Sequence, residues 1–171
     1  MVTVRVSCSA SVDAGALHSV WSMDEEIPTM TDHGPNPPAA PQLSSDTLGP
    51  FAAFLGISLE EAGPSRVVAT WSARPELHQP YGIVHGGVHC AVIETLASVG
   101  AAVWMGERGK VVGVNNNTDF YRAVREGTLT STATPLHRDD EQQQWLVETV
   151  DDAGRVAARG QVRLQNLYPQ G

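Results

Sequence analysis

One twenty-residue run, Gly86–Met105, constrains this chain more than any other feature: it contains a single formal charge, Glu94. As a helix it would extend about 30 Å, enough to cross a bilayer. A carboxylate near mid-membrane costs about 3 kcal/mol even on lenient insertion scales, and no Lys or Arg flanks the run on its N-terminal side. The run therefore predicts a core helix. On a helical wheel Val88, Ala91, Val92, Thr95, Leu96, Val99, Ala102 and Val103 form one stripe. The opposite side carries Cys90, Ile93, Ala97, Ala101 and Met105, which are small or apolar rather than charged. A helix apolar all round is buried all round, so strands are expected to wrap it.

Those strands are visible as alternation. Val67, Ala69, Trp71 and Ala73 alternate with Val68, Thr70 and Ser72, and Val156–Leu164 behaves in the same way. Segments 111–121, 127–135 and 145–150 also read as extended, and Asp151-Asp152-Ala153-Gly154 is a turn signal. A short helix is expected over Leu48–Leu55, with Phe51, Phe54 and Leu55 at helical spacing and Gly56 ending it. Short connections between successive strands require antiparallel pairing, because parallel crossovers need a dozen residues or more. The expectation is an α+β domain over residues 47–171: one long helix and five or six antiparallel strands.

Charge and composition narrow the function. Residues 1–46 hold one Arg and six acids, and residues 34–41 include four prolines, which reads as a disordered acidic tail. The overall charge of −8 argues against nucleic acid as a partner. Two cysteines, Cys8 and Cys90, make no disulfide framework, and the N-terminus lacks the apolar run of a secretory signal. A cytoplasmic protein that does not insert into membranes is expected.

Few residues can carry chemistry. Glu94 lies two turns into the helix with Ser98 one turn further on the same side. It faces a solvent gap, pairs with an arginine, or serves as an acid–base or nucleophilic carboxylate in a cleft. The helix start, Gly82-Ile83-Val84-His85-Gly86-Gly87, leaves backbone N–H groups open to an anionic or polarised oxygen. His85 reads as a hydrogen-bonded structural imidazole or a catalyst, and His89 as a packing or interface residue. His85 and His89 have the i, i+4 spacing of a zinc pair, but His85 precedes the helix, so no metal is expected. Ser98 lacks the Gly-x-Ser-x-Gly context of a serine hydrolase, and phosphate-cradling glycine motifs are absent.

The stretch His78-Gln79-Pro80-Tyr81-Gly82-Ile83-Val84-His85-Gly86-Gly87, followed by Glu94, resembles the hotdog-fold acyl-CoA thioesterases. The similarity is to the branch with a helix glutamate, which includes aryl-CoA and 1,4-dihydroxy-2-naphthoyl-CoA thioesterases. A second block, Gly113–Asn117 through Arg122–Gly127, matches the strand and turn after the helix, and the resemblance covers roughly residues 48–166. The fold it implies is a long helix wrapped by a curved antiparallel sheet.

The resemblance also implies roles. Glu94 would be nucleophile or general base. The Gly86 N–H and the Gln79 amide would polarise the thioester carbonyl, His85 would assist, and Ser98 would lie near the leaving thiol or water. Arg122, Arg125, Asn117 and Gly87 are the implied substrate-binding residues. No cofactor is implied. The substrate would be an acyl-CoA or an acyl-carrier protein, in a cleft between the subunits of a homodimer, possibly paired into a tetramer. The sequence departs from the pattern at Phe120, where related hydrolases carry a His, and at Asp119, Asn115 and Asn116. A non-catalytic acyl-CoA-binding or scaffold module, and a hydratase or dehydratase on the same fold, are the competing readings.

Overall fold

The computed structural model describes residues 48–169, and the tail expected over residues 1–46 lies outside them. A short helix, α1 (Gly49–Leu55), starts at Pro50 in its first turn and stops at Gly56, whose left-handed backbone lets its N–H bond back to Ala53 O at 3.0 Å. Ala52 and Leu55 face inward, whereas Phe51 and Phe54 are exposed. The strands are β1 (Ser58–Ala62), β2 (Val67–Ser72), β3 (His78–Gln79), β4 (Ile83–Val84), β5 (Lys110–Phe120), β6 (Thr128–Arg138), β7 (Gln142–Val150) and β8 (Val156–Leu167). Between β4 and β5 runs the long helix α2 (Gly86–Met105). Six strands form one antiparallel sheet in the order β1-β2-β6-β7-β8-β5, while β3 and β4 make a separate two-stranded ladder.

The inner face of the sheet is set by residue alternation. Val67, Ala69 and Trp71 of β2, Leu129 and Ala133 of β6, Trp145 and Val147 of β7, and Val162 and Leu164 of β8 are buried. All belong to one core with Val92, Ile93, Leu96 and Ala97 of α2. Close approach of helix to sheet needs Gly100, because a Cβ there would lie 2.5 Å from the Trp145 ring. Two networks pair buried polar groups between the strands. Trp71 Nε1 donates to Ser131 Oγ, which bonds Thr149. Trp145 Nε1 donates to Gln143 Oε1, and the Gln143 amide donates to Asn166.

The expectation that strands wrap α2 completely is corrected in one respect. The buried side is His89, Val92, Ile93, Leu96, Ala97, Val99, Gly100, Ala101 and Met105. Val88, Ala91, Thr95 and Val103 are only half-buried, and Ala102 is exposed. A single sheet covers one side of a helix, so among the described residues the other side of this apolar helix stays open. By length and composition α2 and the turn after it could cross a membrane, but half of the most apolar stretch is buried within the fold.

Candidate active site

The start of α2 is built by its neighbours. His85 is the N-cap, and its Nδ1 accepts the Gly87 N–H at 2.9 Å. That bond places the neutral ring's proton on Nε2, an N–H with no acceptor among the described residues. A Cβ on Gly87 would sit 3.0 Å from His85 Nδ1, so a side chain there would crowd this cap. The segment before the helix is tied down by His85 N–H to Leu77 O and Val84 N–H to Val124 O. Arg125 donates to the carbonyls of Tyr81 and Gly82, both at 3.1 Å, and so clamps the loop between β3 and β4. Its Nη1 is thus engaged in holding backbone.

Beside this helix start lies a cavity of about 390 Å³, lined by Gln79, Gly86, His89, Phe120 and Arg122 among others. Gln79 and Gly86 are thereby brought to one site. Among the described residues no acceptor pairs with the Gly86 N–H, as the first turn of a helix permits. Phe120 packs over Gly86, its Cζ 3.0 Å from where a Gly86 Cβ would be. His89 forms the floor: it is 3% exposed, meets Trp71 edge-on at 5.4 Å between ring centroids, and lies 6.1 Å from Phe120. Among the described residues its Nδ1 has no hydrogen-bond partner, and burial pushes its pKa down to about 4, so the ring is neutral.

Glu94 occupies a different place. It is half-buried on the open side of α2, about 12 Å along the axis from Gly86 at 1.5 Å per residue. Its Oε2 accepts the Asn116 amide at 3.1 Å. No ion pair with an arginine forms at Glu94 among the described residues. Ser98, one turn on, is also half-buried. Glu94 and Ser98 do not line the cavity that holds Gln79 and Gly86.

Asn117 is exposed and does not line the cavity beside the helix start. It lines a shallow groove on the outer face of the sheet with Asp119, Leu146 and Arg159. A β-bulge between Gly113 and Asn115 is the cause. An extra residue there reverses which side chains point inward, so Asn116 and not Asn117 meets α2. Sequence reasoning did not single out Asn116 as a site residue, because it is the middle one of three successive asparagines.

The antiparallel sheet folded against one long helix is the hotdog fold, and the thioesterase superfamily model matches residues 81–158. The chain belongs to that superfamily. Among its relatives, the Mycobacterium tuberculosis protein named "Putative esterase Rv1847" is 54% identical over 121 residues, 69% of this chain and 86% of that one. The 1,4-dihydroxy-2-naphthoyl-CoA hydrolase of Escherichia coli is 32% identical over 63% of this chain and 79% of its own length. The crystal structure of S. sahachiroi AziG superposes with a TM-score of 0.71 at 57% identity, covering 71% of this chain and 99% of that one. Thioester hydrolysis is the chemistry these relationships support in general.

Proposed function

We propose that the protein hydrolyses an acyl-CoA or acyl-carrier-protein thioester in a cleft between two copies of the chain. The observation that carries this reading is the state of Glu94: an anion on an otherwise uncharged helix, held by a neutral amide instead of a cation. A carboxylate bound to a neutral donor keeps its charge available for an electrophile or a water molecule. Gly86 N–H and Gln79 supply donors for the oxygen on which negative charge builds, the place where preorganised donors contribute most. Water adds to the carbonyl carbon as Glu94 takes its proton. The C–S bond then breaks, and the thiolate leaves with that proton. Direct attack by Glu94 instead breaks the C–S bond, expels the thiolate and gives a mixed anhydride that water opens to the free acid and the regenerated carboxylate. Single turnover in ¹⁸O-water detects the second route, since label enters Glu94 only when water opens an anhydride at the Glu94 carboxyl carbon.

The acid and the donors sit too far apart on one helix to act on one carbonyl. A second copy supplies what each lacks. The open side of α2 and the edge strand β5, with exposed Val112 and Val114, offer an apolar surface for it. Arg122, at the cavity and free of any ion pair among the described residues, is the cation we assign to the phosphates of coenzyme A or phosphopantetheine. Glu94→Gln removes the charge at nearly constant shape. Release of free thiol from a panel of short, medium, long and aromatic acyl-CoAs should fall at least about a hundredfold while the oligomer persists. Near-normal release refutes the reading and favours a binding or scaffold module.

A further inference from the structure

The amide of Asn116 is bonded on all sides. Its Nδ2 lies 3.1 Å from Glu94 Oε2 and 3.0 Å from the Cys90 carbonyl oxygen, while its Oδ1 accepts from Thr118 Oγ1 at 2.7 Å. The two amide hydrogens thus meet two acceptors, and the oxygen meets a donor. A flipped amide would set Oδ1 against two other oxygens, so the orientation is determined by its surroundings. The strand presents Asn116 and Thr118 on one face, two residues apart, and the bulge at Gly113–Asn115 turns that face toward the helix. The other oxygen, Glu94 Oε1, rests against Gly113, where a Cβ would lie only 1.9 Å away. Among the described residues it has no hydrogen-bond donor.

We infer that Asn116 is a positioning residue: it binds one oxygen of Glu94 and thereby presents the other, Oε1, to the reacting carbon or to water. The inference rests on the thioesterase reading of Glu94 and adds which oxygen reacts and what aims it. A free carboxylate on a flexible side chain samples several rotamers, and misplacement of a reacting group by about 1 Å can cost a hundredfold in rate. The contact with Cys90 O ties the amide to the helix that carries Glu94, so acid and amide move together.

The test compares Asn116→Leu with the native protein using thiol release from whichever acyl-CoA the native protein turns over fastest. The expected result is a fall in kcat of about tenfold to a hundredfold, with KM changed less than about twofold and the melting temperature and oligomer mass retained. In a Glu94→Asp background the shortened acid no longer reaches the amide, so Asn116→Leu should cost less than about threefold there. Where Asn116→Leu fails to fold, the smaller Asn116→Ser carries the same comparison. An unchanged kcat, or an equal loss in both backgrounds, overturns the inference while leaving the thioesterase reading intact. Full activity of Glu94→Gln overturns that reading itself.

Discussion

Acidification from pH 7 to pH 5 should cost the folded protein about 2 kcal/mol through His89 alone. The ring is buried between Trp71 and Phe120, and no hydrogen bond from the described residues reaches its Nδ1. Desolvation lowers its pKa from an ordinary 6.5 to about 4. The unfolded chain therefore binds a proton near pH 6.5 that the folded chain refuses until about pH 4. Stability is complete above 6.5 and falls with pH through that window. Below both values the loss would reach about 3 kcal/mol, at 1.4 kcal/mol per tenfold; by pH 5 most of it has accrued. The assay is urea unfolding at both pH values and at fixed protomer concentration, since association contributes to apparent stability. His89→Gln cannot take up the proton, so its loss over the same interval should be smaller by about 2 kcal/mol. Other carboxylates and histidines titrate equally in both proteins and cancel in the difference. Equal pH dependence in native and variant protein would refute the argument, by showing that water or a polar neighbour reaches the ring.

Two further outcomes follow from packing and from the division of the site. Gly100→Ala puts a methyl 2.5 Å from Trp145 and should destabilise by about 1–3 kcal/mol in chemical unfolding, as overpacking does. Co-expressed Glu94→Gln and Gln79→Ala chains should release more thiol than the mean of the two single variants, because each mixed dimer rebuilds one complete cleft. Activity no higher than that mean would place acid and amide in the same chain's site.

The core strands could be read from sequence because their side chains face two different environments. In β7 every second residue from Gln143 to Thr149 is buried, and β2 repeats the rule with Val67, Ala69 and Trp71. β1 escaped because Ser58-Leu59-Glu60-Glu61-Ala62 has no buried face: among the described strands it lies at the sheet edge and pairs with β2 alone. The covered side of α2 could not be chosen in advance for the opposite reason. Both sides are apolar, so a wheel shows that burial is required without showing which half the chain's own sheet supplies.

The site divides along the same line. Helix-start glycines, a capping histidine and a solitary glutamate are local signals, readable because each is anomalous against its immediate neighbours. Asn116 is ordinary in sequence, the middle of three asparagines in a polar stretch. Its meeting with Glu94 spans 22 residues and depends on one inserted residue. Without the bulge, strict alternation from Gly113 would turn Asn115 and Asn117 toward the helix and send Asn116 to the outer face. With it, Gly113 and Asn116 share the inner face, one making room for the carboxylate and the other holding it. The position of the candidate acid is thus set by a backbone irregularity that propensity and periodicity do not encode, and it becomes visible only when the pairing of β5 with β8 is known.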